Sequence, residues 1–265
     1  CGTADLFTGD PVAHTFSPTL FVKGSTMQPT SNTYDQSASQ YTAMITTQEM
    51  AGVQSSPIMS PFLQVVGDVS GLTVLDAGCG EGYLSRILVQ RGATVTGIDI
   101  STPLVEIART KELADQMSYQ VADLSQPLPA YQGHFDLVAS FFVLNDVYDY
   151  RGFLTTLGSV LKHAGRLVLF MNNPYSFVTR NFVTDYFASG QAFPYLGLAD
   201  LGVKVHFYQR TLEDYLDACF AAGFQLQRLV DVRTPEGSSF KRRKDSLLPE
   251  GYDFPDFTIL SLVKT

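Results

Sequence analysis

The stretch VLDAGCGEGYLSR, residues 74–86, decides the predicted fold of this chain. A short apolar run ends at Asp76, and glycines follow at Gly78, Gly80 and Gly82 before a helix pattern begins. A glycine-rich turn at the carboxyl end of a buried strand lets a ligand approach the backbone and leaves N–H groups of the next helix free for an anion. The sequence therefore predicts either a ligand-binding turn or a tight structural turn at these glycines.

Short β-branched runs and helix patterns alternate on both sides of this turn. Strands are predicted over 72–77, 93–99, 118–124, 134–143 and 166–171, and helices over 81–92, 101–116 and 153–165. Alternation at this spacing implies a parallel sheet covered by helices on both faces. A helix over 211–224 precedes two strands, 225–232 and 256–265, which must pair antiparallel because no helix connects them. The predicted class is therefore α/β with one antiparallel strand pair.

The regions around this alternation differ in composition. Residues 1–30, rich in Thr, Ser, Pro and Gly, are predicted to form a flexible N-terminal arm. Residues 31–70 contain two helix patterns, and residues 71–265 form the main domain. Within that domain, the insert 172–210 is rich in aromatic residues and too long for an ordinary connection, so we predict a functional lid rather than a disordered segment.

Composition and charge narrow the possible partners. The 265 residues are 45% hydrophobic and 17% charged, and no apolar run approaches the roughly 20 residues that span a bilayer. The formal net charge of -8 disfavours a nucleic-acid partner, which normally contacts a basic face. The three cysteines have no paired spacing and the four histidines are scattered, so we expect no disulfide framework, no metal site and a cytoplasmic location. We expect a monomer or a homodimer.

Asp99 ends the second predicted strand, 17 residues after Gly82. An acid here can accept hydrogen bonds from both hydroxyls of a ribose, which indicates an adenosine-type ligand; a solvated acid at a strand end is the alternative. Nicotinamide and flavin dinucleotides also fit, but their GxGxxG spacing is GxGxG here, with Tyr83 at the third glycine position. Asp76 would repel a pyrophosphate and would suit an ammonium or a sulfonium group. This combination indicates S-adenosylmethionine (SAM).

Several segments together resemble the class I SAM-dependent methyltransferases, in the small-molecule group that includes ubiquinone-biosynthesis-like and type 11 enzymes. The resemblance covers residues 55–265 and rests on five segments: VLDAGCGEGYLSR, VTGIDIS (95–101), VADL (121–124), FDLVAS (135–140) and LKHAGRLVLF (161–170). It implies a Rossmann-like seven-stranded sheet in the order 3-2-1-4-5-7-6, with the last strand antiparallel, helices on both faces and a cap insert after strand 5.

The resemblance also implies SAM as the cofactor and S-adenosylhomocysteine as the product. By position, Gly78, Cys79 and Gly80 would contact the methionine part of SAM, and Asp76 would lie near its amino group. Asp99 would accept hydrogen bonds from the ribose hydroxyls.

The same resemblance assigns the rest of the cofactor site. The adenine would contact three residues: Ile100, Asp123 and Leu124. Phe141 would line the pocket beside the sulfonium. The helices of residues 31–70 would cover the cofactor, and Tyr34 and Tyr41 would either contact it or pack within their own segment.

The insert 172–210 lies where these enzymes build a substrate cap. Its aromatic residues suggest a flat or apolar acceptor, with Tyr175, Tyr195 and Phe207 as candidate contacts. His206 is the only histidine of the insert and a candidate base, with a packing or surface role as the alternative.

Two polar residues follow the fourth predicted strand. Asn145 and Asp146 stand where many relatives carry a histidine, which argues against a histidine base at this place. Asp146 either orients an acceptor hydroxyl or amine or caps the next helix, and Asn145 is the neighbouring catalytic candidate.

These features predict methyl transfer from SAM to an oxygen or nitrogen of a small aromatic or apolar metabolite, such as a secondary metabolite or a quinone-like compound, by in-line displacement. The alternative is a protein of the same fold that binds SAM without consuming it, as a rearrangement catalyst or a binding protein. Methylation of RNA or protein is disfavoured by the acidic charge.

Overall fold

A computed structural model describes residues 34–51, 56–112, 115–179, 182–195, 205–233 and 254–265. The predicted N-terminal arm, residues 1–30, lies outside these described residues. Within them, every helix is too short or too polar to cross a bilayer.

The described chain alternates between helices and strands over most of its length. Its strands are β1 (Thr73–Ala77), β2 (Thr94–Asp99), β3 (Met117–Val121), β4 (Phe135–Phe141), β5 (Leu161–Asn172), β6 (Ala192–Tyr195), β7 (Val205–Tyr208), β8 (Phe224–Val232) and β9 (Phe257–Lys264). Its α-helices are α1 (Ala38–Ala51), α2 (Met59–Val66), α3 (Tyr83–Gln90), α4 (Thr102–Thr110), α5 (Tyr150–Val160), α6 (Pro174–Thr179) and α7 (Leu212–Ala221).

Seven strands form one sheet in the order β3-β2-β1-β4-β5-β9-β8. The five strands β1 to β5 are parallel, and β9 pairs antiparallel with both β5 and β8. With β8 and β9 as the sixth and seventh strands of the sheet, this confirms the predicted Rossmann-like order 3-2-1-4-5-7-6 and its antiparallel last strand.

Helices cover both faces of this sheet, as the alternation predicted. Successive residues of β1 point to opposite faces, so Val74 belongs to one apolar core and Leu75 to the other. The first core contains residues of α2, α3 and α4, and the second contains residues of α5 and α7. Burial on both faces explains why the central strands are almost entirely apolar.

The fifth strand begins earlier than the sequence predicted. The helix predicted over 153–165 ends at Val160, and β5 begins at Leu161. Leu161 is fully buried and pairs with Phe135 of β4. These sheet contacts outweigh the helical propensity of the segment LKHA, and Ala164 turns the chain with a φ of 60°.

The insert 172–210 contains regular structure in its described part. Helix α6 follows β5, and β6 pairs antiparallel with β7, which places Phe193 opposite Phe207. Their rings form a small apolar cluster with Phe177 and Val183, and Tyr34 packs against it. Several aromatic residues of the insert thus form a small core of their own.

The sheet order defines where a ligand can bind. The carboxyl ends of β1, β2 and β4 lie at one edge of the sheet, and the strand order reverses between β1 and β4. Open α/β sheets bind their ligands in the crevice at such a reversal.

Candidate active site

A cavity of about 850 Å³ lies at this edge of the sheet. Its volume is within the range of small-molecule and cofactor sites. Many residues predicted from the sequence line it: Tyr34, Tyr41, Gly78, Gly80, Asp99, Ile100, Asp123, Leu124, Phe141, Asp146 and His206. The fold therefore brings these residues from six separate segments of the chain to one site.

The glycine turn forms one wall of the cavity with its backbone. Gly78 and Gly80 have φ values of 81° and 53°, which L-residues with a Cβ adopt only with strain. A Cβ at Gly78 would collide with the Val143 side chain, so glycine is also required by space. The N–H groups of Gly78 and Cys79 donate to the carbonyl of Ile98, which fixes the turn against β2.

Asp99 is held beside this turn by two backbone donors. Its Oδ2 accepts the N–H of Gly80 at 2.8 Å, and its Oδ1 accepts the N–H of Ser101 at 2.8 Å. Burial raises the pKa of the Asp99 carboxyl, and these N–H groups oppose the rise. A carboxylate has about four acceptor positions, so each oxygen keeps capacity for a ribose hydroxyl.

Asp76 and Cys79 lie behind the turn rather than in the cavity wall. The hydroxyl of Ser85 donates to Asp76 Oδ2 at 2.6 Å, and both side chains are buried. Burial raises the pKa of Asp76 to about 7, and the Ser85 hydrogen bond opposes the rise. Cys79 is buried too, and its Sγ lies 3.7 Å from the Gly80 carbonyl oxygen. Neither residue is among those that line the cavity, and their predicted contacts with the cofactor stay predictions.

The predicted adenine contacts all line the cavity. Ile100 is 54% exposed and available to a flat ring, whereas Leu124 is largely buried. Asp123 Oδ1 accepts the N–H of Ser125 at 2.8 Å and its hydroxyl at 2.7 Å. These residues, the glycine turn and Asp99 fit the adenosine and methionine parts of SAM.

The N-terminal segment lies over the cavity. The rings of Tyr34 and Tyr41 meet edge to face with centroids 5.5 Å apart. The hydroxyl of Ser101 donates to Asp35 Oδ1 at 2.6 Å, which ties the segment to the start of α4. Burial raises the pKa of both tyrosines, with Asp146 adding to the rise at Tyr34 and Asp99 at Tyr41.

Asp146 has two carboxylate oxygens with different surroundings. The Tyr34 hydroxyl donates to Oδ2 at 2.6 Å, whereas Oδ1 is buried and has no hydrogen-bond partner among the described residues. Burial raises the pKa of Asp146 to about 8; Asp99 adds to the rise, and the Tyr34 hydrogen bond and Arg210 oppose it. A carboxyl with a pKa in this range is suited to general acid or base work near neutral pH.

Asn145 has a structural role in the observed fold. It is buried and is absent from the cavity lining, since its Nδ2 donates to the Tyr215 hydroxyl at 3.2 Å and its Oδ1 accepts the N–H of Asn172 at 2.9 Å. These bonds join the loop after β4 to β5 and α7, and of the two residues only Asp146 lines the cavity.

The predicted acceptor contacts fall in different places. Phe207 is buried in the cluster of the insert, and Tyr175 stacks on Tyr186 at 4.6 Å beside a second cavity of about 480 Å³. The structure does not describe the Tyr195 side chain. His206 is exposed and lines the main cavity. Neither Phe207 nor Tyr175 is among the residues that line the main cavity, because Phe207 packs in the core of the insert and Tyr175 lines the second cavity.

Three tyrosines and an arginine that the sequence did not indicate as site residues also line the cavity and are called the tyrosine wall: Tyr148, Tyr150, Tyr208 and Arg210. The Arg210 guanidinium donates to the carbonyls of Val147 at 2.7 Å and Tyr148 at 2.8 Å. It also lies 4.2 Å from the Tyr150 ring centroid. The sequence contains two signals for this wall. They are the segment VYDY, residues 147–150, and the arginine directly before the helix cap at Thr211.

The ionisable residues of the cavity wall are mostly acidic. Four carboxyl groups face two guanidinium groups: Asp99, Asp123, Asp146 and Asp149 against Arg151 and Arg210. This balance suits a ligand with positive charges, as SAM has at its sulfonium and ammonium groups. The described residues include no group of histidine, cysteine and carboxylate side chains that could hold a metal ion.

Comparisons with known proteins show which proteins this chain resembles. A family model described as a methyltransferase domain matches residues 75–169, which contain the glycine turn, Asp99 and Asp146. Ubiquinone biosynthesis O-methyltransferase of Xanthomonas euvesicatoria pv. vesicatoria (strain 85-10) is 33% identical over 116 residues, 43% of this chain and 48% of that protein. Demethylmenaquinone methyltransferase of Tropheryma whipplei (strain Twist) is 36% identical over 107 residues, 40% of this chain and 44% of that protein. The chain thus spans about half the length of these curated relatives.

The likeness in fold extends further along the chain. The crystal structure of an S-adenosylmethionine-dependent methyltransferase from Mesorhizobium loti matches with a TM-score of 0.63 at 24% identity, covering 80% of this chain and 100% of that one. The fold is a Rossmann-like domain, and residues 75–169 match a methyltransferase domain. The chain is similar to class I SAM-dependent methyltransferases, and these matches support SAM as its cofactor.

Proposed function

We propose that the protein transfers the methyl group of SAM to an oxygen or nitrogen of a small aromatic acceptor by in-line displacement, with Asp146 as the base. The observation that carries this proposal is that Asp146 lines the cofactor cavity while its Oδ1 has no hydrogen-bond partner among the described residues. A buried acceptor atom without a partner is costly, and an O–H or N–H of a bound acceptor would satisfy it.

The cofactor residues orient the donor. When bound, SAM supplies a methyl group already activated by the sulfonium, so the chain has mainly to align an acceptor and exclude water. Asp99 would hold the ribose hydroxyls, and the backbone of Gly78 and Gly80 would hold the methionine part. Phe141, at the end of β4, lines the cavity and would offer a ring face to the methyl-bearing cation.

Asp146 would receive the proton of the acceptor. As the acceptor atom bonds to the methyl carbon and the carbon–sulfur bond breaks toward sulfur, the Asp146 Oδ1 takes up the proton from the acceptor O–H or N–H. The charges balance, because the positive charge of the sulfonium is lost while the carboxylate becomes neutral.

The tyrosine wall supports an aromatic acceptor. Tyr148, Tyr150 and Tyr208 offer ring faces and hydroxyl groups, which suit a flat ring that carries polar substituents. The names of the two curated relatives refer to ubiquinone and menaquinone, and each of these has a ring system that would fit such a wall. We therefore place phenols and quinone-like compounds first among acceptors, whether they serve primary or secondary metabolism.

The test is product formation by the purified protein. Incubation with SAM and a panel of phenols, dihydroxybenzenes and aryl amines should release S-adenosylhomocysteine in an acceptor-dependent way. Asp146→Asn should abolish most of this release. Asp136→Asn, at the opposite end of β4, is the matched control and should behave as the unaltered protein. If no acceptor and no extract fraction causes release while SAM binds tightly, the alternative of a protein that binds SAM without consuming it replaces the proposal.

A further inference from the structure

We propose that Tyr34 is a positioning residue for Asp146: its hydroxyl fixes one carboxylate oxygen so that the other faces the acceptor, and it keeps the carboxylate available as a base. The inference rests on the proposed function, since it gives Asp146 its partner in that reaction. It also goes beyond the role of covering the cofactor that the resemblance implied for Tyr34.

The geometry separates the two oxygens of Asp146. Tyr34 Oη donates to Oδ2 at 2.6 Å across 112 residues of chain, and Oδ1 is buried without a hydrogen-bond partner in the described part of the structure. A short bond to a charged acceptor is among the stronger hydrogen bonds in proteins. Because one oxygen is fixed, the carboxylate cannot rotate freely, and Oδ1 is left as the oxygen with unused acceptor capacity.

Tyr34 is itself held from two sides. Its ring meets Tyr41 edge to face, and it packs against the apolar cluster of the insert that contains Phe177 and Phe207. The next residue, Asp35, accepts the Ser101 hydroxyl at 2.6 Å. The hydroxyl of Tyr34 is therefore presented to Asp146 by a packed aromatic ring, which costs little conformational entropy when the bond forms.

Several ionisable groups besides Tyr34 face Asp146 from the surrounding elements: Tyr41 of α1, Asp99 of β2, Tyr208 of β7, Tyr215 of α7, and Arg210. His206 of β7 lines the same cavity. Asp99 disfavours the charged form of Asp146, and Arg210 favours it. The guanidinium of Arg210 is shared with the carbonyls of Val147 and Tyr148, so Tyr34 supplies the direct hydrogen bond to the carboxylate.

Loss of the Tyr34 hydroxyl should change the pKa of Asp146 in one defined direction. A hydrogen bond donated to a carboxylate stabilises its charged form, so its removal raises the pKa of Asp146 further. The variant Tyr34→Phe keeps the ring and its packing and removes only the donor. The Asp146 carboxyl should then titrate about one pH unit higher than in the unaltered protein.

The deciding experiment follows the Asp146 carboxyl directly. Carbon NMR of protein labelled at the aspartate carboxyl carbons reports each titration, and Asp146→Asn identifies the resonance. The control is Tyr131→Phe, which removes a tyrosine hydroxyl bound to Gln120 at 2.9 Å outside the cavity. We expect an upward shift in Tyr34→Phe alone. An unchanged or lower midpoint overturns the proposal.

A second substitution should shift the pKa of Asp146 in the opposite direction. It also tests the proposal if Tyr34→Phe fails to fold. Replacing Tyr34 by 3-fluorotyrosine strengthens the donor, and the Asp146 titration should then move to lower pH. An equal titration in the fluorinated and unaltered proteins also contradicts the proposal.

Kinetic measurements distinguish a role of Tyr34 in positioning Asp146 from a role in covering the cofactor. In Tyr34→Phe, the acidic limb of the kcat profile should move to higher pH with the carboxyl titration, while the Kd for SAM stays within about threefold. A much weaker SAM affinity with an unmoved limb would assign Tyr34 to cofactor cover instead. The NMR titration needs no methyl transfer, so it decides the role of Tyr34 even if the protein consumes no SAM.

Discussion

The Asp99 carboxylate accepts the backbone N–H of Gly80 at 2.8 Å, which joins the end of β2 to the glycine turn that follows β1. The bond crosses between two neighbouring parallel strands, so the fold itself fixes the distance between the ribose acceptor and the turn. We therefore expect ligand binding at this edge to depend on Asp99 twice, through the proposed contact with the ribose and through the shape of the turn.

Asp99→Asn should weaken SAM binding strongly. The substitution removes charged acceptors for the ribose hydroxyls and weakens the bond to Gly80, so we expect a Kd about 10- to 100-fold higher. Isothermal titration calorimetry measures this change. Asp68→Asn is the matched control, because Asp68 accepts the N–H of Ser70 at an exposed position outside the cavity. SAM binding of unchanged strength in Asp99→Asn would contradict the assigned site.

Gly78→Ala should disturb the turn through strain and through space. The positive φ costs about 1 kcal/mol for alanine, and the new Cβ would meet the Val143 side chain. We expect SAM binding at least about tenfold weaker. In the double variant with Val143→Ala, the collision is relieved and part of the affinity should return beyond the effect of Val143→Ala alone. If the effects of the two substitutions on SAM affinity are simply additive, the collision between residue 78 and Val143 does not matter for binding.

Asp146→Asn should separate chemistry from cofactor binding. Asparagine keeps the shape of the side chain but cannot take up a proton, so kcat should fall about 100-fold or more. The Kd for SAM should change little, because Asp146 lies outside the glycine turn and the strand end at Asp99. Parallel measurement of S-adenosylhomocysteine release and SAM binding tests this, and equal losses in both would point to a defect in the cavity as a whole.

The stability of the protein without cofactor should fall as pH rises. Burial raises the pKa of Asp146 from 3.8 to about 8, so between these values the folded state binds a proton that the unfolded state has released. Stability falls with pH wherever the folded state binds more protons. Asp76, with a pKa raised to about 7, contributes with the same sign.

Asp146→Asn should make this decline shallower. Near pH 8 the variant should be more stable than the unaltered protein by several kcal/mol, at roughly 1.4 kcal/mol for each pH unit between the two pKa values, and near pH 4 the difference should be small. Urea unfolding at several pH values measures both curves. A decline of the same slope in the two proteins would show that Asp146 does not keep its proton in the folded state.

Most of the fold could be predicted because its determinants are local. The β-branched runs, the glycine turn and the helix cap at Thr211 each appear within a few residues, and the structure has the capping box in which the Thr211 and Asp214 side chains and backbone bond reciprocally. The start of β5 could not be predicted in this way. Leu161 belongs to a strand because it pairs with Phe135, and pairing between distant segments leaves no local pattern.

The cofactor side of the site could be predicted better than the acceptor side. Asp99 and the glycines lie at strand ends, and the parallel sheet alone brings such positions together. The tyrosine wall depends on how the insert folds back on the loop after β4, where the Tyr208 N–H donates to the Asn145 carbonyl at 3.0 Å. An aromatic residue in that insert can face its own core, as Phe207 does, or the cavity, as Tyr208 does; only the three-dimensional structure distinguishes the two.

The central claim is that the methyl group of SAM moves to a small acceptor, and SAM with a radiolabelled methyl group tests it most directly. The purified protein would be incubated with this SAM and a cell extract from the source organism, and the products separated by size. We predict label in a small-molecule fraction, carried by an aromatic compound, and its loss with Asp146→Asn. SAM that binds while no label moves, in several extracts, would contradict the claim, and label in protein or RNA would contradict the small-molecule acceptor.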